Sequence, residues 1–171
     1  MKKVLFILFL IYSSSSFSQN NKFIEDLTLE LQKNAIQDTL RVNTLLKLTS
    51  ANYGVNPEKM LQYAEESLQL SMKINYKKGQ AESYKLKGAA FFTKGNFSEA
   101  EVNFTKALTI FKEIKQSKGI ILCLSNLGSM KMVQNKYPEA IQFYQKSIKV
   151  SEISKDKKNA AFAYGNMGVI Y

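Results

Sequence analysis

The chain contains no histidine, no tryptophan, one cysteine and only two prolines among its 171 residues. Without histidine, the side chain that titrates nearest neutrality and most often ligates metals is missing. The lone Cys123 excludes an intramolecular disulfide and any cysteine-based metal cluster. No glycine-rich phosphate loop follows a strand-like run, and no convincing strand pattern exists at all. Glu65-Glu66 and the pair Glu99/Glu101 fall in helical patterns as exposed carboxylates, with no cleft that pairs an acid with a base. Met130 and Met132 have the spacing of packing residues. These gaps point away from an enzyme, a metal site and a cofactor, so none of the three is expected. The scarcity of proline leaves room for long helices.

Hydrophobic residues make up 45% and charged residues 22%, the balance of a soluble globular chain. The first eighteen residues stand apart. Lys2 and Lys3 precede a nine-residue apolar run, Val4–Tyr12, and Ser16-Phe17-Ser18 offers a small-x-small cleavage site before Gln19. That layout is a secretory signal peptide, and its apolar run is too short to span a bilayer. Residues 1–18 are therefore expected to be removed, leaving an exported protein, periplasmic or secreted, with no stable membrane insertion. Without Lys2 and Lys3 the formal charge falls from +10 to +8. The lysines are scattered, and pairs such as Lys77-Lys78 and Lys157-Lys158 are expected at inter-helix turns, solvated. No basic run is interleaved with aromatics, so nucleic acid is not an expected partner.

The remainder reads as helices. Residues 19–37 hold an amphipathic helix, with Phe23, Ile24, Leu27, Leu29 and Leu31 among charges, and a linker. Asp38 is a good N-cap, and Leu40, Val42, Leu45 and Leu48 follow at helical spacing. Tyr53–Pro57 stops that helix, Asn56 caps the next and Pro57 fits its first turn. A turn is expected at Lys77-Lys78-Gly79. A helix from about Lys78 to Thr93 comes next, then a turn at Gly95, then a helix capped by Ser98 and running to about Ile114.

Superposition of the segments fixes a period. Gly88, Gly128 and Gly168 are 40 residues apart, as are Leu68, Leu108 and Ile148, and Met60, Ala100 and Ala140. Residues 38–160 thus form three helix–turn–helix repeats, and residues 161–171 open a fourth. The apolar residues of that last segment, Phe162, Tyr164, Met167 and Val169 among them, have no following helix to cover them. They are expected to meet further repeats or another chain.

Tyr84, Gly88, Phe91, Gly95, Phe97, Ala100, Phe104 and Ala107 resemble the signature of the tetratricopeptide repeat, and Leu124, Leu127, Gly128, Tyr137, Ala140, Tyr144 and Ser147 match it again. The first repeat departs from it, with Leu48 at the small position and Met60 at the first alanine. The 40-residue period also exceeds the family's usual length of about 34. The resemblance implies an all-α fold, a right-handed superhelical solenoid of antiparallel helix pairs whose first helices line a concave groove. It implies a non-catalytic interaction module holding a protein or extended peptide. Long-repeat, secretory chains of this kind also look like the sensory N-terminal part of bacterial sensor kinases and transcriptional regulators. In this register Glu82, Lys85, Ala89, Phe92 and Thr93 of the second repeat face the groove. So do Leu122, Ser125, Asn126, Ser129, Met132 and Val133 of the third, and Phe162 and Asn166 of the fourth. Lys85, Phe92, Asn126, Ser129 and Asn166 are the expected contact residues. Asn126 and Asn166 resemble the family's peptide-clamping amides, since an amide both donates and accepts, and Lys85 is placed to meet a ligand carboxylate.

Overall fold

Short-range chemistry sets each helix and each turn. Asp38 adopts an extended backbone and its carboxylate accepts the Arg41 N–H at 3.0 Å, so α2 begins at Thr39. Asn56 does the same for Lys59 at 2.9 Å, with Pro57 as the first residue of α3. A computed structural model describes residues 19–33 and 36–170. The proposed signal peptide, residues 1–18, lies outside the described residues, as do Asn34, Ala35 and Tyr171.

Eight helices and no strand occur among the described residues: α1 (19–33), α2 (Thr39–Ala51), α3 (Pro57–Lys73), α4 (Lys77–Thr93), α5 (Phe97–Glu113), α6 (Ser117–Val133), α7 (Tyr137–Ile153) and α8 (Lys157–Ile170). From α3 to α7 each helix has 17 residues. Every connection from α3 onward is three residues long and built alike. Its middle residue is left-handed: Asn75, Gly95, Lys115, Asn135 and Lys155, at φ between +54° and +74°. Its last residue donates back to a carbonyl of the preceding helix: Tyr76 to Ser71 at 2.8 Å, Asn96 to Phe91 at 2.9 Å and Gln116 to Phe111 at 2.9 Å. Lys136 and Asp156 repeat this bond to Lys131 and Ser151. This is the Schellman closure, which satisfies carbonyls that a helix end leaves open. Two such helix-and-turn units make the 40-residue period.

Two expected boundaries move. Lys77, Lys78 and Gly79 are the first turn of α4, not a loop, and the turn is Ile74-Asn75-Tyr76. Gly79 is not needed for a positive φ. It is buried, and a Cβ there would lie 2.9 Å from Val42. The cap of α5 is Asn96, whose side chain accepts the Glu99 N–H at 3.2 Å, and not Ser98, which lies inside the helix.

The helices stack as antiparallel neighbours, each packing on the next. In α4 the small Gly88 receives the ring of Phe104 from α5, and a Cβ at Gly88 would sit 2.6 Å from it. In α6 Gly128 receives the ring of Tyr144 from α7, with the corresponding distance 2.7 Å. Ala81, Ala100, Phe104, Ala107, Phe111, Leu124 and Leu127 fill the middle of the stack. The expected N-terminal helix is present. α1 runs antiparallel to α2, since Asn20 donates to the Ala51 carbonyl while Arg41 donates to the Leu31 carbonyl. At Gly168, the third glycine of the series, an added Cβ would have no described neighbour within 4 Å.

The glycine contacts predict unequal responses to one substitution. Gly128→Ala pushes a methyl into the Tyr144 ring and should cost about 1–3 kcal/mol. Gly168→Ala meets no neighbour and should be neutral or stabilise by up to about 1 kcal/mol, the helix-propensity gain. Denaturant unfolding of both variants beside the parent checks this, and equal effects would refute it.

Candidate functional site

The first helices of successive repeats, α2, α4, α6 and α8, lie beside one another in order. The junction of α4 and α6 is seen at Cys123, whose thiol is buried. Burial pushes its pKa up to about 12, while nearby Lys85 lowers and Glu82 raises it by lesser amounts. Lys85 and Glu82 also pair with each other, Nζ to carboxylate at 2.5 Å, with side chains only 15% and 24% exposed. Lys85 is thus neutralised within its own helix and does not stand as a bare cation for a ligand carboxylate.

The other expected contact residues divide into two groups. Phe92 is half-buried, its ring 5.9 Å from that of Phe97, and packs against the central core. Ser129 is half-buried and shares a hydrogen bond with the Tyr144 hydroxyl at 3.1 Å, so it is tied to a scaffold residue. Ser125 is not in the groove. It is buried and bonded to Ser147 of α7 at 2.9 Å, because a hydroxyl at this position finds its partner in the paired helix. Asn126 is half-buried with no side-chain hydrogen bond among the described residues. Asn166 stands one repeat on, and its Nδ2 is buried without an acceptor. A buried donor left unpaired costs about 1–3 kcal/mol. Along the same helices stand apolar side chains: half-buried Leu122 and Met132, and exposed Val133, Phe162 and Val169.

Two features were not legible in the repeat signature. Lys131 of α6 occupies the place that Phe91 holds in α4, yet is buried, with its ammonium 3.0 Å from Glu101 and 3.2 Å from Glu139. Burial works against its charge, but the bonds to Glu101 and Glu139 outweigh it and the pKa is raised. An acidic residue on each neighbouring helix was the only available signal. The second is a cleft of about 500 Å³ beside α1, lined by Leu31, Gln37, Arg41, Glu66 and Lys73 among others. None of its lining residues belongs to α4, α6 or α8, and Arg41 there is bonded to Glu66 at 3.0 Å. Among the described residues, no three His, Cys, Asp or Glu side chains converge as a metal site.

The buried thiol has a measurable consequence. An unfolded cysteine ionises at about pH 8.5, so above that pH the unfolded state releases a proton that the folded state keeps. Stability is then lost as pH rises toward about 12, the folded value. At about pH 8, just below that ionisation, a thiol reagent such as a disulfide dye should leave native Cys123 unmodified and react fully after denaturation. Rapid labelling of the native chain would contradict this placement.

Residues 120–153 match the family described as Tetratricopeptide repeat. No curated protein matches the chain. Among solved structures it is similar to aspartyl phosphate phosphatase F from Bacillus subtilis, at TM-score 0.73 and 21% identity over 76% of this chain and 34% of that one. It is also similar to BtubC (BKLC) from P. vanneervenii, at TM-score 0.73 and 17% identity over 89% of this chain and 65% of that one. The chain spans a third of the first protein's length and just under two thirds of the second's. The helix order, the repeated turns and the two structural likenesses make the chain an all-α helical-repeat solenoid, of which residues 120–153, in α6 and α7, match the tetratricopeptide repeat.

Proposed function

We propose that the chain is a non-catalytic protein-interaction module that holds an extended peptide or protein segment along α4, α6 and α8, outside the cytoplasm. The observation that carries the reading is the pair Asn126 and Asn166, two half-buried amides one repeat apart in the first helices α6 and α8. An extended backbone offers carbonyls and N–H groups at regular intervals, and amides bind both. The apolar side chains along the same helices and the internally paired Lys85 favour an uncharged, apolar segment over an acidic tail. Export is supported by the layout of residues 1–18. The alternative, a sensory N-terminal region of a membrane-bound signalling protein, rests on the secretory layout of residues 1–18 and the 40-residue repeat length.

The test starts from an envelope fraction of the producing cell, where the chain should be recovered beginning at Gln19, and from a peptide selected on it by display. Asn126→Ala combined with Asn166→Ala should weaken that peptide by about thirtyfold, the loss of two hydrogen bonds of roughly 1 kcal/mol each, with the unfolding midpoint held or slightly raised. Unchanged affinity would refute the amide clamp, and a cytoplasmic chain retaining Met1 would refute export.

A further inference from the structure

We infer that the edge of the solenoid bearing the lysine row Lys78, Lys118 and Lys158 is a docking surface for an acidic segment of a partner protein. The edge is separate from the groove face that carries Asn126 and Asn166.

Only two positions hold the same residue in α4, α6 and α8: the glycine of 88, 128 and 168, and the lysine of 78, 118 and 158. The glycine has a packing cause in α4 and α6. The lysine has none, being exposed in all three helices. It also stands in the first turn, where the positive end of the helix dipole disfavours a cation. On the other edge Glu58, Glu99 and Glu139 stand in the first turns of α3, α5 and α7. No acidic residue occupies the first turn of α4, α6 or α8. A local rule broken in register, with no packing return, marks a functional position.

Asp156, in the turn before α8, is bonded chiefly to Asn159, and Lys118 and Lys158 add a smaller lowering of its pKa. Lys115 and Lys155 occupy the left-handed turn positions of the same edge, and Lys77 lies 4.0 Å from Glu113 across it. The occupant follows from the donor chemistry. Lysine ammoniums are point charges, whereas fork-like bidentate recognition of phosphate belongs to arginine, and the one arginine, Arg41, is on α2 and bonded to Glu66. No aromatic residue stands in the first turns of α4, α6 or α8 on which a base would stack. A solenoid row also rotates from repeat to repeat, which a flexible chain of Asp and Glu follows better than a flat bilayer does.

The test measures a fluorescent oligoglutamate peptide binding to the full chain at low salt. Replacing the row, Lys78→Gln with Lys118→Gln and Lys158→Gln, should weaken binding about tenfold or more and flatten its salt dependence. The melting temperature should hold or rise slightly, since a cation leaves each helix N-terminus. A charge-matched triple at exposed lysines elsewhere, Lys47→Gln with Lys59→Gln and Lys136→Gln, should stay within about twofold of the parent. The groove pair Asn126→Ala and Asn166→Ala should bind the peptide normally, which separates this surface from the groove. Absence of binding by the parent overturns the inference, and so do equal losses in both lysine triples. Row-dependent binding of phosphatidylglycerol vesicles without oligoglutamate binding overturns it too, in favour of a membrane.

Discussion

The structure depends on a close approach made in the second and third repeats, in which an aromatic ring of the second helix lies on a glycine of the first. Phe104 on Gly88 and Tyr144 on Gly128 set the distance between paired helices. Once that distance is set, Ala100 and Ala140 are buried and the hydroxyl and alkyl positions around them fall into place. The 40-residue spacing is then an outcome of geometry. Two helices of 17 residues with identical three-residue Schellman turns bring the next glycine back to the same height on the next helix.

A scaffold built this way consumes one face of every helix and leaves the others free to vary. On the groove face of α4, α6 and α8 the variation yields Lys85 locked to Glu82, Ser129 tied to Tyr144, and the amides Asn126 and Asn166 uncommitted. On the edge at the helix starts, variation is absent at a single polar position, which is why the lysine row stands out.

Period, glycines and the caps Asp38 and Asn56 were legible in the sequence, because each is a local rule repeated or confirmed at short range. The turn at 74–76 was less so. Asn75, Lys115 and Lys155 adopt left-handed backbone without being glycine, and Gly79, which looks like a turn residue, is a packing residue. Within the site, the register located Asn126 and Asn166 but could not tell them from Ser125. Whether a polar side chain faces outward or bonds to the paired helix depends on its neighbour, here Ser147, on another helix. Lys131 was hidden for the same reason, its two carboxylates arriving from α5 and α7.

If each repeat is held only by its neighbours, stability must be graded along the stack and not uniform. Native-state hydrogen exchange measures that directly. Amide exchange should be slowest in α4, α5 and α6, where glycine-to-ring contacts flank both sides, and progressively faster through α7 to α8. Uniform protection from α2 to α8, or the strongest protection in α8, would contradict the claim that these ring-on-glycine contacts organise the fold.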